Sequence, residues 1–167
     1  MKEIKMQNPL TQTYLHEILE YRDGILYWKV DRRKTKVGSK AGRTKSNGYG
    51  EVRIDGKLHG THRLIFMMFH GFMPKIIDHI DCNPLNNKIN NLREATQAQN
   101  MLNTFRPKNN TSGFKGVYLD KKSGNWIAQC VVNGRKSYLG AFADIHDAAR
   151  SVISFREKTQ GKFVNHG

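Results

Sequence analysis

Residues 78–100 read DHIDCNPLNNKINNLREATQAQN. Adjacent Asp78 and His79 open the stretch; Asn91 and then Asn100 follow downstream. These are the residue types that hydrolysis of a phosphodiester calls for. An imidazole takes a proton from water near neutral pH. A carboxylate and an amide oxygen suit a hard divalent cation, which keeps most of its waters and needs only one or two protein oxygens. A second amide, here Asn91, can hold the imidazole in one tautomer. Two plainer readings compete. A calcium loop begun at Asp81 would need a central Gly, and a closing Glu where Leu92 stands. An Asn-rich turn would use Asn83, Asn86, Asn87 and Asn90 for backbone bonding, but needs no Asp-His pair at its entrance. On spacing alone, site and turn both stay open.

The elements around the stretch must aim these groups. KIIDHI (75–80) reads as a short strand. Neighbours on a strand point to opposite faces, so Asp78 and His79 act together only if the chain twists or bends where the loop begins. Asn100 falls on a helix starting near Thr96. THRLIFMMFHGF (61–72) is continuously apolar, and its length and Met content predict a buried helix. Upstream, PLTQTYLHEILEY (9–21) predicts a short helix capped by Thr11, with Leu15, Ile18 and Leu19 on one face. Asp23-Gly24 ends it, and ILYWKV (25–30) is a strand. DRRKTKVGSKAGRTKSN (31–47) is a flexible basic loop suited to phosphate contact. YGEVRI (49–54) is a strand leading into an Asp55-Gly56 hairpin turn.

TFRPKNNTS (104–112) has the Pro and small polar residues of a linker. Beyond it the pattern changes to three strand-like runs, GFKGVYLD, WIAQCVV and KSYLGAF. The turns between them are Lys122-Ser123-Gly124-Asn125 and Asn133-Gly134. A helix follows, capped by Asp144 and stopped near Gly161, with Ile145, Ala148, Ala149 and Val152 on one face. The fold class is therefore α+β: a three-stranded antiparallel sheet packed on one helix follows a mixed N-terminal half.

The chain of 167 residues carries 28 Lys and Arg against 14 Asp and Glu, a net charge of +14. Both halves are basic, which predicts a polyanionic partner, most simply nucleic acid. MKEIKMQNPL lacks the apolar core of a signal peptide, and no apolar run reaches membrane length. Cys82 and Cys130 cannot build a four-thiolate zinc ribbon, so a cytoplasmic setting with reduced thiols is expected.

The ordered motif D-H-I-D-x-N, N-N, N-L-R, A-T and Q-N resembles the HNH nucleases, closest to their phage-type branch related to intron-encoded homing endonucleases. HRLIFMMFHGFMP (62–74) resembles the helix that precedes the motif in that family. The resemblance implies a ββα-metal core, with His79 as general base, Asp78 and Asn100 as metal ligands and Asn91 orienting the histidine. It implies one Mg²⁺ (or Mn²⁺) per active site and hydrolysis to 5′-phosphate and 3′-hydroxyl ends. Arg63 and Arg93 are candidate phosphate clamps. Cys82 stands where relatives often have Gly; if that position needs positive φ, Cys is mildly strained there.

The C-terminal signs G-F-K-G-V, G-N-W, Y-L-G-x-F, D-A-A-R and G-K-x-x-N resemble the plant ethylene-response-factor (AP-two) DNA-binding domain. In that family the sheet lies in the major groove. By position, Lys115, Trp126, Gln129, Lys136 and Tyr138 are candidate contacts; Lys121, Lys122 and Arg135 fit as phosphate contacts by charge. Val131 stands where the plant domains often have Arg. Trp126 and Tyr138 can equally be packing residues of the sheet.

The expectation is thus a nuclease domain at 1–104, a linker at 105–112 and a DNA-binding module at 113–167. The partner is double-stranded DNA, with no membrane or protein partner implied, in the cytoplasm of a cell hosting a phage or mobile element. A monomer would nick and a dimer could cut both strands. The alternatives are a non-catalytic DNA-binding regulator derived from such a nuclease, and an RNA-binding protein that stacks bases on Trp126 and Tyr138.

Overall fold

The computed structural model describes residues 10–32, 35–107, 109–132 and 134–165, with the backbone alone at Gln160 and Lys162. Pro9 of the expected first helix, Arg33 and Lys34 of the basic loop, and Asn133 of the last hairpin turn lie outside the described residues. The chain forms two compact units, Met1–Ala95 and Thr96–Gly167. The expected linker at 105–112 thus falls inside the second unit.

In the first unit, helix α1 (Gln12–Ile18) is capped by Thr11, whose hydroxyl accepts from the Tyr14 N–H. It is shorter than the pattern suggests. Leu19–Arg22 form strand β1, antiparallel to β2 (Ile25–Trp28), with Leu19 opposite Trp28 and Arg22 opposite Ile25. The physical reason is the Asp23-Gly24 turn. Both residues take positive φ, 45° and 88°, the geometry of a two-residue hairpin, which draws the helix's last turn into a strand. Strands β3 (Arg43–Thr44), β4 (Gly50–Ile54) and β5 (Lys57–Gly60) form a second antiparallel sheet.

Helix α2 (Thr61–His70) starts directly after β5 and ends at Gly71, which takes the left-handed conformation a helix stop favours. Leu64, Ile65, Phe66 and Met68 point into a core shared with Leu15, Leu19, Leu26, Val52 and Ile54. The Gln12 side-chain amide donates to the Met68 carbonyl at 2.8 Å and ties α1 to α2. Strands β6 (Ile77–His79) and β7 (Leu92–Glu94) pair antiparallel, and Ile77 and Leu92 anchor them in the same core.

The second unit begins with α3 (Gln97–Leu102). Thr96 and Gln99 cap it reciprocally. Strands β8 (Val117–Leu119), β9 (Trp126–Val132) and β10 (Arg135–Phe142) form an antiparallel sheet in the order β10-β9-β8. Helix α4 (Ile145–Gln160) covers one face, and Ala148, Ala149 and Val152 pack on Val117 and Ala128. The Asp144 carboxylate accepts from the His146 and Asp147 N–H groups and starts the helix. No helix among the described residues is long and apolar enough to cross a membrane.

Candidate active site

Strand β6 delivers Asp78 and His79, both buried, at 4% and 5% exposed. The register decides what each meets. Asp78 lies opposite Arg93 on β7, and His79 opposite Leu92. Arg93 donates through Nε and a terminal nitrogen to Asp78 Oδ2, at 2.8 and 2.7 Å. The expected phosphate clamp at Arg93 is therefore corrected: its guanidinium neutralises the buried carboxylate across the ribbon. Arg63 also has an internal task. Its guanidinium donates to the Pro74 and Lys75 carbonyls and holds the segment between α2 and β6.

The partner of the imidazole is also not the expected one. His79 Nε2 lies 3.0 Å from Asn87 Oδ1. Facing an amide oxygen, Nε2 must carry the ring proton, which leaves Nδ1 as the basic nitrogen. Asn91 instead holds the loop. Its amide donates to Asp81 Oδ1 at 2.9 Å and to the Asn86 carbonyl at 2.8 Å, and its Oδ1 accepts from the Asp81 N–H. The spacing rule located an asparagine that organises the site, but the loop folds so that Asn87 reaches the ring.

Asp81 is the centre of that loop. Besides Asn91, it accepts from the Asn83 N–H at 2.8 Å and the Asn86 amide at 2.6 Å. Burial alone would raise its carboxyl; the Asn86, Asn83 and Asn91 donors outweigh burial and hold it below the usual carboxylate range. Cys82 follows with φ 59°, the positive value expected where relatives carry Gly, and its N–H bonds the His79 carbonyl at 2.8 Å. This tight turn bends the chain directly after the strand.

Neighbouring elements brace the loop from outside. The Ile89 N–H donates to the Tyr21 hydroxyl at 3.1 Å, and Lys88 pairs with Asp23 at 3.0 Å. Gly24 lies so close that a Cβ there would come within 2.9 Å of the Lys88 nitrogen. The β1–β2 hairpin is thus a support for the loop that carries Asn87.

Two further side chains border His79. The His62 ring lies 5.4 Å from the His79 ring, and Tyr49 lies 6.0 Å from His79 and 5.6 Å from His62. Burial, then the neighbouring His79 and Arg63, pushes His62 down to about 4. Sequence reasoning passed over both. The visible signal was weak: an isolated His at a helix start and a Tyr after a basic loop.

Asn100 lies on α3 in the second unit, half-buried, its N–H bonded to the Thr96 carbonyl at 2.9 Å. Its assignment as a ligand rests on the motif. Among the described residues no group of three or more His, Cys, Asp or Glu could hold a metal ion, so they form no closed zinc-type cage. The Asp78 carboxylate is the kind of hard oxygen donor that a divalent cation takes.

In the second unit, Lys115 is corrected. It is 8% exposed, and its ammonium donates to the Thr104 and Asn165 carbonyls, joining the segment before the sheet to the chain's last described residue. Trp126 is half-buried against the cluster under α4, so it serves packing. Gln129, Lys136 and Tyr138 sit on the other face, where Tyr138 pairs with Gln129 and Lys136 with Val131. There Tyr138 is 67% exposed, with Tyr118 and Val131 exposed beside it. Arg135 stands exposed at the start of β10, and Lys121 and Lys122 are exposed in the β8–β9 turn.

A model of the HNH endonuclease family matches residues 59–102, the span from the end of β5 to α3. The chain is 33% identical to Protein 3.8 of Escherichia phage T7 over 105 residues, covering 62% of this chain and 86% of that protein. It is 34% identical over 121 residues to a protein of Acanthamoeba polyphaga mimivirus named as an uncharacterized HNH endonuclease, covering 71% of this chain and 62% of that one. No solved structure matches. The paired Asp78 and His79, the asparagine-tied loop and these likenesses to viral proteins lead to one conclusion: residues 59–102 of the chain form an HNH endonuclease domain.

Proposed function

We propose that this protein is a divalent-metal-dependent DNA endonuclease of the phage and homing type, acting inside the cell that hosts the phage or mobile element. One observation carries the reading. His79 is buried, with Nε2 committed to Asn87, beside a carboxylate paired with Arg93. A lone structural histidine needs no such arrangement.

Asp78, with Asn100 as the motif's second ligand, would hold the cation, Mg²⁺ or Mn²⁺. When bound, it would stabilise negative charge on the phosphorane and on the leaving oxygen. His79 Nδ1 takes the proton from the attacking water. Asn87 keeps the ring in the tautomer that leaves this nitrogen basic, and stabilises the imidazolium that forms. Water's oxygen bonds to phosphorus as the bond to the 3′ oxygen breaks, and the leaving oxygen gains a proton. The products are a 5′-phosphate and a 3′-hydroxyl. Each chain cuts one strand, so a monomer nicks.

The sheet face of the second unit, with Gln129, Lys136 and Tyr138 and the nearby Lys121, Lys122 and Arg135, is the proposed duplex-binding module of AP-two type. The support is an exposed, aromatic and cationic sheet face opposite a helix-covered one.

Supercoiled plasmid with Mg²⁺ tests the reading. The wild type nicks, EDTA stops it, and His79→Ala binds the same DNA while cutting at least about 100-fold more slowly. Equal binding with no cutting by either protein would make the chain a DNA-binding regulator. A preference for RNA over duplex DNA would move it to the RNA-binding class.

A further inference from the structure

The nuclease reading leaves His62 without a task, and its surroundings are unusual. Its Nδ1 is fully enclosed and has no hydrogen-bond partner. A buried N–H without an acceptor costs more than a bare lone pair, so the ring proton belongs on Nε2, which is not enclosed. Burial and the neighbouring His79 hold the ring neutral at ordinary pH. The ring sits in a triangle with His79 and the exposed Tyr49, whose centroids lie 5.4 to 6.0 Å apart.

The residue before the helix secures this pose. Gly60 has an ordinary φ of −63°, but a Cβ there would meet His62 Cε1 at 2.9 Å. Glycine therefore leaves the space into which the ring folds back. His62 also lies in the first turn of α2, whose N-cap Gly60 makes no side-chain cap bond. The partial positive charge at that helix end favours an anion nearby.

We propose that His62 is a second substrate-contacting imidazole: a neutral donor whose Nε2–H bonds a non-bridging oxygen of the phosphodiester beside the His79 base. The inference rests on the nuclease reading and adds a fixed donor where charge develops on phosphorus. A neutral donor here does not compete with proton uptake by His79, as an imidazolium at 5.4 Å would.

The test is single-turnover nicking of supercoiled plasmid with Mg²⁺, alongside DNA binding in Ca²⁺. His62→Phe keeps a ring against His79 and Tyr49 but has no N–H. It should bind DNA within about twofold and cut roughly 100-fold more slowly, the loss typical of one transition-state donor. His62→Gln, which restores an N–H donor, should cut at least about tenfold faster than His62→Phe. Gly60→Ala, which displaces the ring without touching it chemically, should lose at least about tenfold with unchanged melting. If His62→Phe cuts like the wild type, or His62→Gln does no better than His62→Phe, the donor role is overturned. If His62→Phe does not fold, Gly60→Ala decides: undiminished cutting overturns the proposal. A wild type that binds but never nicks sinks the nuclease reading and this inference together. A wild type and a His62→Phe that nick equally sink this inference alone.

Discussion

The loop between β6 and β7 and the open sheet face of the second unit are both rich in polar side chains, and they are built on opposite plans. In the loop nearly every polar group is used internally. Asp81 gathers Asn83, Asn86 and Asn91; Asn87 holds His79; Arg93 holds Asp78. On the sheet, Tyr138, Lys136 and Arg135 project into solvent. Proton transfer demands a ring fixed in position and tautomer, so the loop spends its amides on rigidity. Under the proposed duplex-binding role, recognition of a phosphate backbone needs cations that remain available, as those of the sheet do. A polar residue's burial thus separates the two roles better than its charge does. Lys115 shows this from within the second unit: a cation by type, it is buried and serves as a tie between chain segments.

The contrast can be broken by substitution. Arg93→Ala should give the largest effect, because it removes the guanidinium that balances the charge of the 4% exposed carboxylate of Asp78. We expect about 3–5 kcal/mol lost in denaturant unfolding of the first unit. An Arg93 that merely touched DNA would leave the unfolding curve in place.

Acid should act next, through His62. From pH 6.5 down to about 4 the unfolded chain's His62 takes up a proton that the folded one refuses. Stability is therefore complete above pH 6.5 and falls through that window, by about 3 kcal/mol at most. His62→Phe should flatten this part of the stability–pH curve, measured by urea titration at several pH values; an unchanged slope would exclude His62 as the source.

The two asparagines should separate. Asn87→Ala should slow nicking by roughly 10–100-fold with little change in melting, the cost of losing a group that orients a reactive imidazole. Asn91→Ala should lower stability by about 1–3 kcal/mol, since it removes one donor from Asp81 and takes the Asn91 amide from the Asn86 carbonyl and the Asp81 N–H. The reverse pattern would return the orienting role to Asn91.

The smallest effects contrast two lysines. Lys115→Ala should destabilise the second unit by about 1–2 kcal/mol in thermal melts by removing the buried ammonium that ties the Thr104 and Asn165 carbonyls. Lys136→Ala should leave melting unchanged and reduce the salt slope of DNA binding by about 0.9. Were Lys136 without effect on that slope, the sheet face would lose its claim as the duplex contact.

Local chemistry was legible in the chain. Thr11, Asp144 and Gly161 cap or stop helices because capping uses groups within a few residues. The Asp23-Gly24 turn was legible too, though its power to convert Leu19–Arg22 from helix to strand was not, since that comes from pairing with β2. Cys82 showed the opposite case, where a family pattern of Gly pointed to a positive φ that the backbone then displays.

What the sequence by itself determined is the inventory: an Asp-His pair, an asparagine-rich loop, a strongly basic chain and a sheet-and-helix module after it. These follow from residue type and from spacings of a few residues. Tertiary structure alone decided who meets whom. It assigned Asn87 instead of Asn91 to the imidazole, Arg93 to Asp78, Lys115 to the interior, and set His62 and Tyr49 beside His79. Strand register and loop path govern those meetings. Both depend on contacts between residues far apart in the chain, where a shift of one position turns every side chain to the other face.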